Sequence, residues 1–213
     1  MLANNETGVI QPVEEIARIA HHYGSMFHCD AVQAFGKIPL NATALGADLL
    51  TISAHKIHGP KGTGALYVKK GVEIAPLVNG GGHEFGLRSG TENIIGIAGF
   101  GKAAENVNDM LDQMERIRGL RDMLYDGIKA IVGGCRINGN TENRLPNTLN
   151  ITLPGIRGES IALAMDRKGI LFSPGSACSS GSSEPSHALI AMGMDEDEAH
   201  CSIRFSLGTG NSR

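Results

Sequence analysis

Apolar and polar positions fall into blocks of two different periods along the chain. VEEIARIAHHYG, residues 13–24, carries apolar side chains at helical spacing, with Pro12 suited to the first turn and Gly24 to the stop. SMFHCD (25–30), ADLLTIS (47–53) and GALYV (64–68) read as short strands. Strand–helix–strand alternation of this kind predicts an α/β layer. From about Ile94 to Val132 the period is helical, with Gly119 the expected interruption, and residues 110–132 combine an apolar stripe with many charges, as an amphipathic helix covering a sheet does. Beyond Cys135 the character changes. NTLNITLP (147–154) reads as a strand, GESIALAMDRKG (158–169) as a helix, GSACSSGSSEPS (175–186) as a small-residue loop and SIRFSLG (202–208) as a strand. Two domains are expected, an α/β part over 1–110 and a smaller α+β part over 111–213.

Composition narrows the function classes. The net charge is −3, aromatics are scarce and Trp is absent, which argues against nucleic-acid and membrane partners. The 29 glycines are about twice the usual share and gather in loops such as Gly80-Gly81-Gly82, where backbone can approach a ligand. Cys29, Cys135, Cys178 and Cys201 form no CxxC pair, so neither a zinc site nor a thioredoxin-like motif is expected. No apolar run is long enough to span a bilayer and no signal peptide is visible, so a reducing cytoplasmic setting is the default.

The chemistry concentrates where apolar runs end. The run from Leu49 to Ile52 is followed by Ser53-Ala54-His55-Lys56. An amine that forms an imine must be neutral for part of its cycle, and burial or a nearby positive charge favours the neutral form. A lone strand-end lysine more often keeps its head in water. Asp30 shifts that balance, because it ends the run MFHCD with Gln33 three residues on. A carboxylate there can pair with a protonated pyridine nitrogen, although an isolated Asp at such a place is more commonly a cap. The sequence Asp–x–x–Gln and then, after a strand, Ser–x–His–Lys is more specific than either piece.

NNETG (4–8), DAVQ (30–33), SAHKIHGPKG (53–62), GGGHEFGLRSGTEN (80–93), GSACSSGSSEPSHAL (175–189) and SIRFSLG (202–208) together resemble the cysteine desulfurases of the NifS/IscS type, within the class V aminotransferase-like, pyridoxal-phosphate (PLP) enzymes. The resemblance implies a fold of the aspartate aminotransferase type, with part of the large, mainly parallel-sheet domain and a smaller α+β domain. It implies that Lys56 holds PLP as an imine and shuttles protons, that Asp30 pairs with the pyridine nitrogen, and that Gln33 and Asn5 contact the ring oxygen or the substrate. Ser53 and His55 would bind the phosphate, and Thr91 would reach the phosphate in a neighbouring subunit, making the active unit a homodimer. Arg204 would clamp the substrate carboxylate through its planar fork. Cys178 would be the nucleophile that takes sulfur from L-cysteine, whereas Cys29 and Cys201, in β-like runs, suit inert packing. Iron–sulfur scaffolds and tRNA-thiolation proteins are the acceptors such enzymes serve. His21 and His22 are expected on a solvated helix face, His58 and His83 beside glycine-rich loops, and His187 and His200 in structural places. The resemblance also suggests a chain lacking the N-terminal part of the large domain and the C-terminal end. Selenocysteine lyase, transamination on the same fold and an inactive fragment are the alternatives.

Overall fold

A computed structural model describes residues 1–174 and 184–213. The chain separates into two units: Met1–Leu2 with Pro12–Leu111, and Ala3–Gln11 with Asp112–Arg213.

In the first unit, helix α1 (Val13–His22) buries Val13 and Ala17 and places Glu14 and Glu15 in its first turn, where they complement the helix dipole. Gly24 follows at φ +72° and ends it. Strands β1 (His28–Asp30), β2 (Leu49–Ser53) and β3 (Gly64–Val68) form a sheet in that order. β1 and β2 run parallel, with Asp30 opposite Thr51, and β2 and β3 run antiparallel, with Ser53 opposite Gly64. His21 is exposed on the outer side of α1, as expected, but it is not without a partner. Its Nε2 lies 2.7 Å from Asp48 Oδ2, which also accepts from the Phe27 N–H at 2.9 Å, while Lys69 Nζ reaches Oδ1 at 3.2 Å. These partners, the Phe27 N–H foremost, hold the Asp48 carboxyl down at about 2. Helical periodicity shows which face is apolar; it does not show a carboxylate folded onto the other face.

The helical stretch after Ile94 breaks twice, giving α2 (Ile94–Glu105), α3 (Val107–Asp112) and α4 (Met114–Ile131). Gly119, the expected interruption, lies inside α4. Beyond its own helix, nothing stands within 4 Å of where its Cβ would be; as a glycine it costs the helix about 1 kcal/mol relative to Ala without ending it. The breaks fall at Asn106, whose N–H closes α2 on the Ala103 and Ala104 carbonyls, and at Gln113, ahead of α4.

The second unit contains an antiparallel sheet of β4 (Arg136–Ile137), β5 (Thr148–Thr152) and β6 (Ser202–Ser206), with β5 central. Leu149, Ile151, Leu153, Ile203 and Cys135 form its core, against which Leu124 and Ile128 of α4, Phe172 and Phe205 pack. The polar positions of β5 are buried too. They are satisfied in a network: Asn138 donates to Asn150 Oδ1 at 2.7 Å, and Thr152 Oγ1 donates to Asn138 Oδ1 at 2.9 Å. The unit also holds α5 (Gly158–Asp166), α6 (His187–Ala191) and α7 (Glu196–His200). Among the described residues, no helix is long and apolar enough to cross a membrane.

Candidate active site

β1 and β2 are adjacent and parallel, so their carboxyl ends open side by side. Open α/β sheets bind ligands outside such ends. Asp30 closes β1, and its Oδ1 accepts the Val32 N–H at 2.8 Å, a turn role of the kind a lone Asp commonly takes. A carboxylate accepts through two oxygens, so this bond does not exhaust it. Residues 31–38 then wind in hydrogen-bonded turns that carry Gln33, with Phe35 and Ile38 donating to the Ala31 and Ala34 carbonyls.

β2 passes straight into a single 3₁₀ turn, Ala54–Ile57. Side chains three apart eclipse in such a turn, and here Ala54 and Ile57 are both buried. That pins the inner edge and turns His55 outward, with Lys56 half-buried beside it. The Ala54 N–H donates to Thr63 O at 3.0 Å, and His58, at φ +66°, ends the turn. Ser53 Oγ lies 2.7 Å from His55 Nδ1. A hydroxyl, an imidazole and an amine therefore stand on one turn, one strand away from a carboxylate.

Lys37 is a residue that the sequence reading missed. Its Nζ is shut off from solvent and finds no hydrogen-bond partner among the described residues. Burial, and then the charge of Lys56, push its amine down to about 8. The signal lay in its place four residues after Gln33, on the same stretch of turns. Thr91 lies exposed in the loop before α2, and no hydrogen bond joins it to the Lys56 turn. Asn93, two residues later, caps α2 by accepting the Gly96 N–H at 3.1 Å.

In the second unit, Asn5 and Arg204 do come together: Arg204 Nη1 donates to the Asn5 carbonyl at 2.9 Å. Arg204 lies opposite Asn150 across β5 and β6, and Asn150 Nδ2 donates to the next carbonyl, that of Glu6, at 3.2 Å. The Asn4 side chain folds this loop by accepting the N–H groups of Glu6 and Thr7, each at 2.9 Å. Cys178 lies outside the described residues. Of the other thiols, Cys29 and Cys135 are buried and desolvation pushes both up, away from the reactive thiolate, while Cys201 is half-buried at the end of α7. No group of three metal-ligating side chains occurs among the described residues.

Residues 1–213 match the family model described as aminotransferase class-V, and the chain belongs to that family. Among curated proteins it is 52% identical to a cysteine desulfurase of Gluconacetobacter diazotrophicus over 213 residues, all of this chain and 53% of the relative. It is 49% identical to the cysteine desulfurase IscS of Dictyoglomus turgidum over 209 residues, 98% of this chain and 53% of the relative. Among solved structures, a NifS-like protein from Rickettsia africae superposes with a TM-score of 0.89 at 40% identity, covering 99% of this chain and 56% of that one. DndA from Streptomyces lividans gives a TM-score of 0.78 at 34% identity, covering 98% of this chain and 59% of that one. The fold is thus the α/β fold anticipated from the motifs, and the chain spans about half the length of the curated relatives it matches.

Proposed function

We propose that this chain is the Lys56- and Cys178-bearing part of a PLP-dependent cysteine desulfurase, which converts L-cysteine to L-alanine and carries the sulfur on Cys178. The observation that supports it most is the Ser53–His55–Lys56 turn at the end of β2, one parallel strand from Asp30. The donor set fits the cofactor part by part. Lys56 offers the amine an aldehyde requires, Asp30 a carboxylate for a pyridinium nitrogen, Gln33 an amide for the ring oxygen, and Ser53 and His55 a paired hydroxyl and imidazole for phosphate. PLP, when bound, supplies the electron sink for bond breaking next to the amino carbon.

The other roles follow from the residues themselves. Arg204 presents a planar fork of N–H donors beside the Asn5 carbonyl and would orient the substrate carboxylate, with Asn5 next to it. His55 steadies Ser53 and would hold the phosphate near Lys56. Lys56 would move protons to and from the substrate carbon. The Cys178 thiolate would attack the sulfur of L-cysteine, forming an S–S bond as the C–S bond breaks, and pass the sulfur to an iron–sulfur scaffold or a tRNA-thiolation protein. The working unit would be a cytoplasmic homodimer with Thr91 directed at the neighbouring subunit's phosphate. In the sequence on either side of Thr91, Phe85 is 99% exposed and Ile95 89%, apolar side chains that a second copy would cover.

The test is reductive trapping. The chain is incubated with PLP, reduced with borohydride and digested, and the modified lysine is mapped by mass spectrometry. Stoichiometric label on Lys56 is the expected result; label scattered over several lysines overturns the assignment. In the full-length enzyme, Cys178→Ala should keep the cofactor's absorbance and lose sulfide release. Unchanged sulfide release would point to another PLP reaction.

A further inference from the structure

Glu6 stands outside the roles given above, yet the residue is only 1% exposed. A carboxylate taken that far out of water needs a partner. It accepts from Ser186 Oγ at 2.5 Å. That hydroxyl in turn accepts the Leu189 N–H at 3.2 Å and caps α6, which Leu189 anchors in the core. The Glu6 carbonyl is held by Asn150, and the neighbouring Asn5 carbonyl by Arg204.

The other attachment lies at Ser173. Its N–H donates to the Arg204 carbonyl at 3.0 Å, and the Arg204 N–H donates back at 2.7 Å. The chain therefore leaves Arg204's own backbone at Ser173 and returns at Ser186 to the loop that holds Arg204's side chain. Cys178 lies between the two in sequence. Fixing both ends of a segment at one place raises the effective concentration of whatever it carries there.

We propose that Glu6 is a positioning residue that fastens Ser186, so that the segment carrying Cys178 begins and ends at the Arg204 clamp. This rests on the roles proposed above for Cys178 and Arg204. A bond that merely adds to stability would affect the whole unit alike; a tether affects the span between Ser173 and Ser186 above all.

The experiment is limited proteolysis of the PLP-free full chain with elastase, which cuts beside small residues, with cleavage sites and rates read by mass spectrometry. Cleavage of a transiently opened segment follows the open population. Glu6→Ala and Ser186→Ala should each raise cleavage between residues 174 and 185 roughly tenfold relative to cleavage elsewhere, as loss of a hydrogen bond to a charged group allows. The double variant should be no faster than Ser186→Ala alone, because that variant already removes the Glu6 bond together with the α6 cap. Glu6→Gln keeps an oxygen that accepts from Ser186 and should stay within about twofold of the parent rate. A rise spread evenly along the chain, or a double variant whose effects multiply, overturns the proposal. Cys178 persulfide is then followed by its mass shift after adding L-cysteine to the loaded full-length enzyme. Slower formation at saturating L-cysteine in Glu6→Ala, restored in Glu6→Gln, is expected, and an unchanged rate counts against the proposal. A parent enzyme that forms no persulfide overturns the desulfurase reading instead, and the elastase comparison then decides the tether by itself.

Discussion

Lys56 and Lys37 are the same residue type in opposite settings. Lys56 sits half-buried on a turn whose neighbours are pinned inward, while Lys37 ends in a place closed to solvent, with no hydrogen-bond partner among the described residues. Burial and the Lys56 charge hold the Lys37 amine at about 8, against about 10.4 for lysine in an unfolded chain. Between those values the unfolded chain binds more proton, so stability rises with pH from about 8 to about 10, and the cost of the buried charge is complete below 8. Urea midpoints across this range should climb for the parent chain and stay flatter for Lys37→Met. Parallel slopes for the two would show that Lys37 does not titrate as the structure indicates.

At the scale of elements, the Lys56 turn and the 31–38 turns meet through a glycine. Gly36 has φ +76°, and a Cβ there would stand 2.8 Å from Ile57 Cγ2 and 3.3 Å from Met110 Cε. Ile57 is the buried residue that fixes the turn presenting Lys56. Gly36→Ala thus combines a strained backbone with an overpacked contact, and should cost about 1–3 kcal/mol. A fall in the urea midpoint should come with slower PLP labelling of Lys56, since the displaced atom is one residue away. Lower stability with labelling unchanged would mean that the contact supports the fold and not the lysine. The longer strands and helices here were legible from spacing, because local period is what spacing records, whereas the two-residue β4 and the five-residue α6 and α7 are too short to show one. The break at Asn106 was not, since Gly119 is the stronger breaker by propensity, yet its cost of about 1 kcal/mol is small enough for an 18-residue helix to run through it.

At the scale of the whole molecule, the homodimer proposed above is tested at the apolar side chains that follow Thr91 in sequence. Ile94 and Ile95 open α2 at 71% and 89% exposure. Burying them would remove a surface that a lone soluble chain rarely keeps. If the full-length enzyme is the proposed homodimer, Ile94→Asp with Ile95→Asp should shift it toward monomer in light scattering. It should also weaken PLP retention if Thr91 serves the neighbouring subunit. A variant that stays dimeric would place the interface elsewhere.

By itself the sequence determined five of the six strands, the longer helical blocks and the strand-end residues from Asp30 to Lys56, because alternation, glycine loops and a specific run of polar residues are local and survive in one dimension. It also determined the family, through motifs spread along the chain. The tertiary structure alone decided which groups meet. Asp48 holding His21, Lys37 buried near the Lys56 charge, Arg204 on the Asn5 carbonyl and Glu6 on Ser186 each join residues far apart in sequence. A buried polar group is stable only beside its partner, and which partner that is depends on how the chain closes on itself.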